Sequence, residues 1–197
     1  MMPIRSYMLA VSLLLAGCIV PEAGVRPGTY DFGPLPAVLL GTEQTNLPTL
    51  TIADVQAPRH METTYVFYRL AYSDAQAPKP YADSRWAMPP AQLIAQRLRS
   101  RLSQNAFVLN AGEVRADLLL KVELEQFDQV FDAPEASRGV VRLRASLIRD
   151  RTVVAQQTFT VDRAAASADA VGGVHALTQA TDAVLDALAG WLQTHGK

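Results

Sequence analysis

The side chain best suited to covalent chemistry in this sequence is its single thiol, Cys18, which ends the run Leu13-Leu14-Leu15-Ala16-Gly17-Cys18. One cysteine cannot close an intramolecular disulfide. Zinc or iron–sulfur ligation needs several converging Cys or His residues, and His60, His175 and His195 are all remote from it in sequence. A thiol is the strongest side-chain nucleophile for forming a thioether, and the residues before it, Ala16 and Gly17, are small. Other chemistry finds little support. His175 and His195 fall on or just beyond one helical stretch, roughly 30 Å apart along its axis, too far for joint metal ligation. The serines lack the strand–turn–helix setting of a nucleophile elbow. Gly172-Gly173 stands without a phosphate-cradling loop, and close packing is its simpler role. The expectation is a protein with no catalytic site, no metal site and no dissociable cofactor.

The elements before Cys18 explain its position. An α-amino group and Arg5, then an apolar run from about Tyr7 to Leu15, then small residues, is the order of a secretory signal. The run is about half of the ~20 residues a membrane-spanning helix needs. Leu15-Ala16-Gly17-Cys18 resembles the lipobox of bacterial lipoproteins. The resemblance implies a diacylglyceryl group on the Cys18 sulfur, cleavage of residues 1–17, and N-acylation of the new terminus. Each buried methylene contributes ~0.8 kcal/mol, so two or three chains hold a protein firmly where one binds marginally. Ile19 stands where an Asp would favour inner-membrane retention, so the expected address is the periplasmic face of the outer membrane.

Composition narrows the class. Of 197 residues, 180 remain after cleavage, enough for one domain with a real core. Loss of Arg5 moves the formal charge from −1 to −2. That near-balance gives no basis for nucleic-acid binding and no polybasic patch for anionic lipid. After the signal no apolar stretch approaches spanning length. Residues 18–28, with two prolines and two glycines, are a tether reaching at most ~35 Å. The domain is expected over 29–197.

Within it, Tyr30–Phe32 predicts a short strand, followed by a proline-broken segment to about Leu47. Thr49–Val55 alternates, with Leu50, Ile52 or Val55 inward, and Tyr65–Tyr72 is a strand rich in aromatic residues. Turn residues follow, then a strand near Tyr81–Trp86. Pro89-Pro90 opens a helix. Leu93, Ile94, Leu98 and Leu102 mark its inner face, Arg97, Arg99 and Arg101 lie mostly outside it, and Asn105 stops it. Ala116–Phe127 and Gly139–Arg149 alternate clearly and fold into an antiparallel hairpin about Asp132–Glu135, bringing Glu125 near Arg142 and Glu123 near Arg144. A tight Arg149–Arg151 turn leads to a strand over Thr152–Val161. A long helix over Asp169–Gln193 carries Val174, Thr178, Thr181, Leu185, Leu188 and Leu192 at helical spacing. The fold class is α+β: a single domain with a mainly antiparallel β-sheet packed by two helices.

Tyr68-Arg69-Leu70, Tyr81-Ala82, Arg85-Trp86 and Pro89-Pro90, running into an amphipathic helix, resemble the ABC-type transport auxiliary lipoproteins, a group that includes the paraquat-inducible protein C lipoproteins. Tyr30-Asp31-Phe32-Gly33-Pro34 and Val55–Pro58 are similar to that family too. The resemblance implies partners: an MCE-domain protein, often with an ABC permease and ATPase that move lipids or other hydrophobic molecules between membranes, and in parts of the family a homo-oligomeric ring. Tyr72, Tyr81, Arg85 and Trp86 are the candidate partner-binding residues, being of types enriched at interface hot spots. The packing alternative has Trp86 capping the core and Arg85 paired with a carboxylate. A lipid-binding shuttle or receptor, with a cavity between sheet and long helix, is the alternative function, and a periplasmic enzyme built from residues distant in sequence is a third.

Overall fold

The computed structural model describes residues 28–35, 49–104, 108–110, 116 and 118–196. Cys18, the signal segment, the tether up to residue 27, residues 36–48 and the helix stop at Asn105 lie outside them. The strands are β1 (Gly28–Tyr30), β2 (Leu50–Ile52), β3 (Tyr65–Leu70), β4 (Asp74–Trp86), β5 (Val108–Asn110), β6 (Leu118–Ala133), β7 (Ala136–Arg149) and β8 (Thr152–Ala164). The helices are α1 (Pro90–Leu102) and α2 (Ala170–His195). The α+β architecture stands.

One strand organises the sheet. Along one side β6 pairs antiparallel with β7 over its whole length, and β7 pairs antiparallel with β8. Along its other side β6 meets β2 in parallel at Leu118–Leu120 and β3 in parallel at Gln129–Phe131. Beyond these lie β5 on β2, and β4 then β1 on β3. The long pairings are therefore antiparallel and the short ones, apart from β3–β4, parallel. The β6–β7 register sets Glu123 opposite Arg144, and Arg142 reaches Glu125 at 2.9 Å, as the alternation requires. A bulge at Leu124/Gln126 shifts the alternation, so Phe127 and Gln129 continue the buried face. The β7–β8 turn puts Asp150 at φ 48° and Arg151 at φ 68°, left-handed at both positions, as a twist-matched two-residue hairpin demands.

The core forms where helices meet sheet. Ile94 and Leu98 of α1, Leu177, Val184 and Leu188 of α2, and Leu120, Leu143 and Leu147 of the sheet are all fully buried in one cluster. Pro90 at N1 gives up no helical hydrogen bond. Asp169 caps α2, its carboxylate accepting from the Gly172 N–H at 2.8 Å. Arg97 departs from expectation. It is only 6% exposed, and its guanidinium donates to both oxygens of Asp182 on α2 and to the Gly33 carbonyl. Its long stem packs along the inner face while a carboxylate reaches in to meet the charge. Arg101, one turn on, meets Asp186, one turn beyond Asp182. Among the described residues no helix is long and apolar enough to cross a membrane.

Candidate functional site

The four candidate side chains sit on the β3–β4 hairpin, and the structure separates them. Tyr72 lies at the hairpin tip and is 49% exposed. Arg85 pairs with Tyr65 at the opposite end of β3, seven residues from Tyr72, which at ~3.3 Å per residue is roughly 23 Å. They do not form one hot spot.

Trp86 is corrected to a core residue. It is 1% exposed, meeting Phe32 at a ring-centroid distance of 5.6 Å and Phe127 at 5.4 Å. It offers a partner no surface. Arg85 does not pair with a carboxylate among the described residues. Its Nη1 donates to the carbonyls of Tyr81 at 2.7 Å and Ser84 at 2.8 Å. Its guanidinium lies 4.1 Å from the centroid of the Tyr65 ring, and Tyr65 is 39% exposed. The surface the hairpin presents here is thus Tyr65 with Arg85. Tyr65 escapes sequence reasoning because it reads as an ordinary strand aromatic.

Tyr81 is half-buried and structural. Its ring meets that of Tyr68 in a tilted contact, with centroids 4.6 Å apart, and its hydroxyl donates to Gln129 Oε1 at 2.8 Å. Gln129, fully buried, donates in turn to Ser137 Oγ at 2.7 Å. Burial, with Tyr68 and Asp169 nearby, pushes the Tyr81 phenol up to about 12. Such a group holds its proton and serves as a donor, not as a base. The backbone of Gly173 lies against Gln129: a Cβ there would stand 2.0 Å from Oε1. At Gly139 a Cβ would stand 2.5 Å from the Leu177 backbone nitrogen. These glycines let the start of α2 settle onto the sheet, the packing role expected of Gly172-Gly173. The Gly172 N–H and Ser167 hydroxyl, both donating to Asp169, hold that carboxyl below its usual range.

The sequence signal for Gln129 was weak, because the alternation that marks β6 breaks at the Glu125 bulge and the strand reads as ending at Phe127. His60, His175 and His195 remain separate, and among the described residues no three His, Cys, Asp or Glu side chains converge as metal ligands. A cleft of about 650 Å³ borders the start of α1, lined by Val55, Gln56, Glu62 and Gln92 among others. Its polar lining suits water better than an acyl chain.

Comparison with known proteins fits this architecture. No curated protein matches the chain. A crystal structure from Xanthomonas campestris, of the family DUF330, superposes with a TM-score of 0.75 at 22% identity, covering 86% of this chain and 96% of that one. An uncharacterised protein superposes at 0.65 with 16% identity, over 85% and 99% of the two chains. A hypothetical protein from Chlamydia trachomatis reaches 0.50 at 10% identity, over 76% and 97%. At these identities the likeness is one of fold. Residues 30–189, nearly the whole folded domain, match the family described as ABC-type transport auxiliary lipoprotein component, and the chain belongs to it.

Proposed function

We propose that this chain is the lipid-anchored auxiliary component of an ABC-type transport system, held by acylated Cys18 at the periplasmic face of the outer membrane. There it docks an MCE-domain protein and, through it, the permease and ATPase that move lipids or other hydrophobic molecules between membranes. Copies of the chain form a ring on that assembly, as the resemblance implies for parts of the family. The role is mechanical rather than enzymatic.

The observation that carries this reading is the order of parts: the stretch Leu15–Cys18, a tether, then the family domain over 30–189. Packing supports docking over carriage. The apolar stripe of α2 is spent on the sheet, with Leu177, Val184 and Leu188 at 0% exposed, where a cavity beside them would expose surface. Affinity capture of the tagged lipoprotein from native membranes should bring down an MCE-domain protein. Cys18→Ala should release the chain from the membrane fraction. Capture of wild-type lipoprotein without any MCE-domain protein would contradict the docking role.

A further inference from the structure

The face of the sheet turned away from the helices holds an aromatic corner. Val66 of β3 points into the core at 0% exposed, so Tyr65 and Phe67 on either side of it point the other way. Their ring centroids lie 6.1 Å apart, and the exposed Pro80 faces Phe67 across the hairpin. Nearby, acids are set against arginines: Glu123 meets Arg144, Glu125 meets Arg142 and Asp128 meets Arg69. Arg85 stands outside this scheme. Its Nη1 serves two carbonyls and its guanidinium sits over Tyr65, while no carboxylate takes its charge among the described residues. Thr29 of β1, Arg85 of β4 and Tyr65 of β3 form one row over three adjacent strands, so Tyr65 stands two strand spacings, ~10 Å, from Thr29. That row is where the chain enters the domain, because Gly28, the residue before Thr29, ends the tether from Cys18.

We propose that this corner seats on the phospholipid headgroups of the bilayer that holds the Cys18 acyl chains. The inference rests on the acylated anchor of the proposed function and adds which face of the domain meets the membrane. The tether spans at most ~35 Å. It keeps the entry row beside the bilayer at high effective concentration, so a headgroup contact too weak to recruit a free protein is still occupied there. β8, at the other edge of the sheet, lies five strand spacings from β1, a further ~24 Å away. The residue types suit the occupant. Tyrosine brings an apolar ring with a polar tip to the headgroup level, and a guanidinium without a carboxylate partner offers its fork to phosphate oxygens. One arginine is no polybasic patch, so seating should depend little on the anionic lipid content. MCE docking is then left to faces that point away from the bilayer.

A spin label at Thr29→Cys tests this in the acylated full chain, reconstituted in vesicles of phosphatidylethanolamine and phosphatidylglycerol with Tyr65 and Arg85 intact. Thr29 is exposed, and acylation consumes the Cys18 thiol, so the introduced cysteine alone takes the label. The acyl mass is verified first. Collisions of the label with oxygen, which partitions into lipid, are compared with those of a water-soluble nickel chelate. The oxygen-to-nickel ratio at position 29 should exceed that of a label at Val153→Cys, a site 55% exposed on β8, by roughly fivefold. Tyr65→Ser and, separately, Arg85→Gln should each lower the ratio at position 29 toward the Val153 value, with melting curves checking both folds. Equal ratios at positions 29 and 153, a ratio that neither substitution moves, or shielding of position 29 in native membranes that pure vesicles do not reproduce would overturn the proposal. A chain without the acyl mass would contradict the anchor as well, whereas an acylated chain with a water-exposed position 29 contradicts the seating alone.

Discussion

Arg97 on α1 and Asp182 on α2 meet through two 2.8 Å hydrogen bonds, a bidentate ion pair that ties the two helices together over the sheet. The third bond of this guanidinium, to the Gly33 carbonyl at 3.0 Å, also holds the segment that follows β1. Asp182→Ala would leave a buried cation without its partner, at a cost of ~3–5 kcal/mol. Chemical denaturation should read this as a lower midpoint with an unchanged slope. Asp186→Ala, which removes the more exposed partner of Arg101, should cost under about 1 kcal/mol. Equal losses in the two variants would contradict the placement of Arg97 in the core.

Two glycines of α2 should respond to alanine with opposite signs. Gly190 has open space where a Cβ would go, so Gly190→Ala should stabilise by up to ~1 kcal/mol through helix propensity. At Gly173 the added methyl meets Gln129 Oε1, and Gly173→Ala should destabilise by ~1–3 kcal/mol. Thermal melts of the two variants give the signs directly.

The raised phenol of Tyr81 gives the domain an alkaline limit. Folding favours the protonated form, so the contribution is fully present below the ordinary tyrosine value of 10.0 and is lost as pH rises from there toward about 12. Denaturation midpoints taken across that window should fall more steeply for wild type than for Tyr81→Phe. On the acid side Asp169 is held below its usual value, so its contribution is present above the unfolded value and is lost as pH falls through the folded one. Asp169→Ala should cost ~1 kcal/mol at neutral pH and flatten that acid dependence.

The β7–β8 turn carries a non-glycine residue at each left-handed position. Arg151→Gly should stabilise by ~1 kcal/mol, because glycine adopts φ near 68° without a Cβ clash, and Asp-Gly is a favoured pair for this turn. A destabilised variant would show that the Arg151 side chain contributes more than its strain costs.

The alternating strands were legible because one face is buried and the other charged. Glu123 opposite Arg144 follows from period two once the turn is placed at Asp132–Glu135. The turn itself closes one residue later, on Pro134-Glu135 with Ala133 facing Ala136, and two bulges in β6 bring Glu123 back opposite Arg144. What alternation could not reach was non-local. The first half of β4 reads as turn because of Pro78 and Pro80, yet prolines are tolerated on an edge strand. Tyr30 starts the expected first strand but ends the observed one, and Phe32 turns into the core at 7% exposed. Arg97 looked like a solvent residue because the carboxylate that neutralises it lies 85 positions along the chain. The same limit applies to the candidate surface. Residue type selected Trp86 and Arg85 together, but alternation along β4 sends Trp86 into the core and leaves Arg85 on Tyr65.

The lipid on Cys18 is the feature every part of the proposed role depends on, and mass spectrometry of the N-terminal peptide from native membranes reads it directly. The expected peptide begins at Cys18 and carries the added mass of a diacylglyceryl group and an N-acyl chain. A peptide beginning elsewhere, or a Cys18 with a free thiol, would contradict the anchor and with it the docking role.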